Sequence, residues 1–161
     1  NGSTVPFEVP GAPPVSAEDR PRVLMNFPDT RYFETMQIPL IRGRGFTDSD
    51  VPESQPVIVI NRLFAERYWP NQDPIGRTVL FPDPVRPITA TIVGVVGDVK
   101  YLGLSGSAEA VYEPSTQAAP NRVNLLVRGS DAGAAALTLQ SPETVRSDLS
   151  LDLLYEQIMV F

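Results

Sequence analysis

Cysteine and histidine are both absent from the 161 residues. Together these absences remove the thiol nucleophile, the zinc knuckle, the Ser-His-Asp triad and the imidazole proton shuttle. They leave the redox compartment open, because disulfides are optional in a domain of this size. Positive charge is also scarce. Against 19 Asp and Glu stand 13 Lys and Arg, a net charge of -6, and no basic run is longer than an isolated Arg pair. A nucleic-acid partner needs a clustered Lys/Arg face and is not expected. No apolar run reaches the ~18 residues of a membrane span. The opening "NGSTVPFEVPGAPP" lacks the basic and apolar regions of a secretory signal. The stretch reads as water-soluble, and it can still belong to a longer membrane protein.

What is present suits a packed domain. Hydrophobic residues make up 42% and charged residues 20%, a balance that fits neither disorder nor a membrane-embedded body. A chain of this length buries roughly two-thirds of its unfolded surface, enough for one domain or two small subdomains. Ser3 to Val9 reads as a short strand, and the proline-rich Pro10 to Pro21 as a loop or edge connection. Arg22 to Phe27 is a second strand. Asp29 or Thr30 is placed to cap a short helix on which Tyr32, Phe33 and Met36 share one stripe facing the core. Ile38, Leu40 and Ile41 form an extended segment limited by Pro39, and Gly43 and Gly45 permit the positive φ of a tight turn.

Pro56 to Asn61, "PVIVIN", is a β-branched run suited to a buried strand. Asn61 can cap the helix "RLFAERYW", which Pro70 ends. A turn over Asp73 to Gly76, a strand over Arg77 to Phe81 and the turn "PDPVRP" lead into the longest strand signal, beginning at Ile88. Ala110 to Tyr112 is a short strand followed by a polar loop. In "NRVNLLVRG", Val123, Leu125 and Val127 alternate to one face. Asp131 to Asp148 is helical in pattern, with Pro142 starting a second helix or kinking one. "LDLLYEQIMVF" ends in a strand or its approach.

Several clusters invite a chemical role. Gly94 and Gly97 with Asp98 suggest a phosphate loop, but the extended pattern continues where a helix N-terminus is needed, so a bulge or close packing is preferred. Gly43-Arg44-Gly45 with Arg42 could form an anion-binding nest, and a turn is the commoner use of such a pattern. Asp48, Asp50 and Glu53 lack the ligand spacing of a calcium loop and read as a solvated loop. Glu66 with Asp98 stands for the carboxylate pairs of a hydrolase, whose separation is invisible in sequence. Phe64, Tyr68 and Trp69 have the helical spacing of a core stripe, with Trp69, before Pro70, expected to be the most exposed. Asn1-Gly2-Ser3 matches a glycosylation acceptor of low specificity. Catalytic, cofactor and metal residues are therefore expected to be none.

In order, "YFETMQIPLIRGRGFTDSD", "PVIVINRLFAERYWPNQDPIGRTVLF", "TIVGVVGDVKYLGL", "VYEP" and "NLLVRG" before an Ala-rich helix resemble one family over roughly Arg22 to Tyr155. It is the MacB-like periplasmic core domain, the extracytoplasmic region of FtsX-like ABC transporter permeases, and most of all its acidobacterial type. Departures are Gln37 where the family usually has Gly, Gly45 where an acidic residue is common, and Pro142 in the terminal helix.

The resemblance implies an α+β fold of two small α/β lobes. A porter-like lobe over 1–55 plus 119–161 would carry an inserted Sabre-like lobe over 56–118, with Tyr32 to Asp50 as a connector. It implies a non-enzymatic domain between the first and second membrane helices of a bacterial inner-membrane permease, relaying ATP-driven movement for export or efflux. Implied partners are a cytoplasmic ABC ATPase, a periplasmic adaptor protein or lipoprotein, and a second copy in a full-length homodimer. One alternative is a permease domain that recruits or regulates a cell-wall hydrolase without transport. A small carboxylate-based hydrolase is the remote one.

Overall fold

The computed structural model describes residues 3–13, 15–99, 108–118, 126–127 and 159–160. The chain divides into two units, Asn1–Ala119 and Pro120–Phe161. In the first, the described elements are β1 (Ser3–Pro6), β2 (Arg22–Asn26), α1 (Tyr32–Thr35), β3 (Leu40–Gly43), β4 (Val57–Asn61), α2 (Arg62–Tyr68), β5 (Thr78–Phe81), β6 (Ile88–Val96), β7 (Ala110–Tyr112) and α3 (Ser115–Ala118). In the second, β8 (Leu126–Val127) pairs in parallel with β9 (Met159–Val160).

The β-branched run of β4 is buried at every position, as a strand covered on both faces requires. It lies inside a mixed seven-stranded sheet of order β1-β2-β7-β4-β6-β3, with β5 also on β6. β6 runs parallel to β4 on one side; on the other, β5 pairs antiparallel with its first half and β3 with its second. Strands from before and after residue 56 thus share one sheet. The β4–β6 register slips between Ile58 and Val59, so that Val93 is an extra residue, and the backbone of Gly94 packs against the turn after β3. A Cβ at Gly94 would lie 2.0 Å from the Arg44 carbonyl oxygen. The bulge and close-packing reading of these glycines holds.

Two apolar clusters fill the two faces. Ile58, Ile60, Ile92 and Val111 pack with Phe64 and Trp69 on one; Val57, Val59, Val96 and Tyr112 pack with Phe33, Ile38 and Phe46 on the other. Phe7, just past β1, is fully buried against Phe64 and Tyr68 at centroid distances of 5.1 and 5.2 Å. The next residue, Glu8, exchanges both backbone hydrogen bonds with Leu80 of β5, at 2.8 and 2.9 Å. The segment leaving β1, at one end of the strand order, therefore closes on β5, the strand paired with the first half of β6.

Local differences from the sequence expectations have clear causes. The helix carrying Tyr32 and Phe33 is one turn, and neither Asp29 nor Thr30 is its N-cap; Arg31 is, while the Asp29 carboxylate takes the Arg31 N–H at 3.0 Å. Gly43 has φ +73°, but Gly45 is not left-handed; Gln37 is, at +54°. Trp69 is 6% exposed, against the expectation that it would be the outermost aromatic. The residue before a proline is driven out of the helical region, and Trp69, at φ -135° and ψ 59°, closes the helix beside Phe64. The helical pattern over Asp131 to Asp148, Val123, Leu125 and Asn1-Gly2 lie outside the described residues.

Candidate functional site

The expected acids come to rest in braces. Asp50 is buried beneath the loop after β3 and accepts two parallel bonds from the Arg44 guanidinium, at 2.8 and 2.9 Å. It also accepts the Thr47 backbone N–H at 2.8 Å. The Arg44 bonds, helped by Thr47, hold its carboxyl below the ordinary range despite burial. Asp48 and Glu53 are exposed, and among the described residues no cluster of ligands suits a metal ion. Arg42 pairs with Asp73 at 3.2 Å, so both arginines of the Gly43-Arg44-Gly45 turn are already engaged by carboxylates. The turn is a joint where β3 meets β6.

Asp98 follows β6 and is nearly enclosed, its side chain 7% exposed. One carboxylate oxygen accepts from the Asn61 side chain at 2.9 Å and the Leu63 N–H at 3.0 Å; the other accepts from Arg62 at 2.9 Å. Glu66 is exposed and reaches the same Arg62 at 4.0 Å. The two acids of the hydrolase reading thus share one arginine, and both oxygens of Asp98 are engaged by donors, which holds its side chain in place. Arg67 pairs with Glu109 in an open depression also lined by Leu63, Glu66 and Ala108.

Asn61 was expected only as a helix cap. Its side-chain oxygen does accept the Phe64 N–H, at 3.2 Å, but also the Ala110 N–H at 3.0 Å, and its nitrogen donates to Asp98 and to the Ala108 carbonyl at 2.8 Å. One fully buried amide thereby joins the ends of β4 and β6 with the starts of α2 and β7.

Gln117, which the sequence left in a polar loop, does comparable work on the other side. Its side-chain oxygen accepts the Val57 N–H at 3.1 Å, and its nitrogen donates to Val51 O, Ser54 Oγ and Gln55 O at 3.1, 2.9 and 3.0 Å. These partners are about sixty residues away in the chain, so no local pattern announces them. Glu113 is half-buried, and burial pushes its carboxyl above the usual range. Leu40 and Ile41 of β3 are 49% and 52% exposed at the sheet edge.

The family model described as MacB-like periplasmic core domain matches residues 4–147. The macrolide export ATP-binding/permease protein MacB of Aggregatibacter actinomycetemcomitans is 29% identical over 120 residues, covering 74% of this chain and 17% of that protein. The probable syringafactin export ATP-binding/permease protein SyfD of Pseudomonas syringae pv. tomato is 30% identical over 96 residues, covering 59% of this chain and 14% of that protein. The crystal structure of the periplasmic region of MacB from Actinobacillus actinomycetemcomitans superposes with a TM-score of 0.52 at 23% identity, over 72% of this chain and 46% of that one. This chain therefore spans under a fifth of the curated relatives.

Proposed function

From the chain's membership in the MacB-like periplasmic core domain family, the extracytoplasmic part of ABC transporter permeases, we propose that it is a non-catalytic body relaying ATP-driven movement. The observation that carries this is the commitment of its polar groups: Asp98, Asn61 and Gln117 each tie separate elements together, and Asp50 locks the loop after β3 onto itself. A sheet filled on both faces and braced at its ends can move as one piece, which a lever needs. In this proposal the domain sits between the first two membrane helices of an inner-membrane permease. A cytoplasmic ABC ATPase drives it, and two copies assemble in the full-length protein. The task is export, in keeping with the relatives' names, and a periplasmic adaptor or lipoprotein docks outside.

The division into a porter-like lobe (1–55 plus 119–161) and an inserted Sabre-like lobe (56–118) also belongs to this proposal. Its two expected crossing points lie close together, because Gln117 bonds to Gln55 and Val57. Strands of both proposed lobes share one sheet, which supports their moving together. A second reading, recruitment of an external protein without transport, is favoured by one observation, the bare Leu40 and Ile41 on β3.

The test is a distance in the full-length permease with its ATPase. Nitroxides on Thr89→Cys, an exposed position of β6, are expected to change their separation between the two copies when ADP is replaced by a non-hydrolysable ATP analogue. An unchanged separation, with nucleotide bound, contradicts the lever. A changed separation that persists with no cargo moved, together with loss of function in Leu40→Ser, supports recruitment instead.

A further inference from the structure

Resting on the lever reading, we infer that α3 and the loop over 44–57 form the anchor through which movement of the chain beyond residue 119 reaches the sheet. α3 is the last element of the first unit, and the chain leaves that unit directly after it. It has one helical turn and no buried residue. Neither helix length nor apolar packing holds it in place. Polar bonds do.

Three consecutive side chains or amides supply them. The Ser115 N–H reaches the Pro28 carbonyl at 2.9 Å, just past β2. The Thr116 hydroxyl donates to the Asp50 carbonyl at 2.6 Å. Gln117 shares its two amide protons among Val51, Ser54 and Gln55 and accepts from Val57, the first residue of β4. Asp50 in turn is locked by Arg44, which follows β3 directly. A displacement arriving at residue 119 is thus handed to β2, to the β3–β4 connection and to the fully buried β4 through about six hydrogen bonds. Such a contact is stiff while intact, and a change at Gln117 removes four of its bonds while those of Ser115 and Thr116 remain.

Hydrogen exchange on the full-length permease with its ATPase, comparing ADP with a non-hydrolysable ATP analogue, tests the anchor. In the wild type, exchange across 44–57 is expected to differ at least about threefold between the nucleotide states. In Gln117→Leu that difference should vanish over 44–57 and persist over 120–161, with ATP hydrolysis retained and the amides of β4 beyond Val57 and of β6 still slow. Thr116→Val, which removes one bond only, should lose part of it and decides the matter if Gln117→Leu loosens β4 or β6. If both variants keep the wild-type difference, the anchor is wrong and the lever stands. If the wild type shows no nucleotide effect anywhere in the domain, the lever fails and the anchor with it.

Discussion

Gln37 holds a φ of +54° between α1 and β3, a conformation that costs a side-chain-bearing residue about 1–2 kcal/mol and glycine far less. The family resemblance already marked this position as one where glycine is usual, and the backbone supplies the reason. After allowing for the extra unfolded-state freedom of glycine, Gln37→Gly is expected to stabilise the domain by about 0.5–1 kcal/mol in urea denaturation. Two carboxyls act in opposite directions. Asp50 is depressed by Arg44 and Thr47, so its contribution is complete above the ordinary carboxylate pKa and is lost as pH falls through its lower folded value. Asp50→Asn should cost about 1–3 kcal/mol at pH 7 and flatten the acid limb of the stability profile. Glu113 is raised by burial, so its folded form favours the proton and stability falls as pH rises through the folded value. Glu113→Gln should therefore raise the melting temperature at pH 7 and remove that fall; a lower melting temperature would show that the charge is used.

Among elements, β4 and α2 were legible because their signals are local. A β-branched run, a cap and a terminating proline lie within fifteen residues, and each does what its chemistry dictates. Trp69 misled because the pre-proline restriction was read only as the end of a helix, whereas it also turns the indole into the cluster around Phe64. The bulge at Gly94 was foreseen as a strand irregularity, but its partner, the Arg44 carbonyl, lies fifty residues earlier in the chain and could not be named. Gly94→Ala must move that backbone, at a cost of about 3 kcal/mol or more by thermal denaturation. The same limit hid the braces. Asn61 showed its cap and concealed its grip on Ala108 and Ala110, so a cap-only role predicts about 1 kcal/mol for Asn61→Ala and the four-bond role about 2–4.

At the scale of the molecule, the absence of histidine and cysteine pointed away from much of enzyme chemistry, and motif order pointed to a permease domain. The mixed sheet with its few helices agrees with the expected α+β class. Its closure, in which Glu8 pairs with Leu80, needed coordinates because two single-residue partners carry no pattern. Asn61, Asp98 and Gln117 each join segments far apart in sequence, as the proposed lever requires, whereas Asp50 braces only its own loop.

The proposed extracytoplasmic position of the domain in a membrane permease can be read by labelling in living cells. Thr89→Cys in the full-length protein, with any other cysteines replaced, should react with a membrane-impermeant maleimide in intact cells whose outer barrier has been opened. Labelling that occurs only after the inner membrane is broken would place the domain in the cytoplasm and contradict the account.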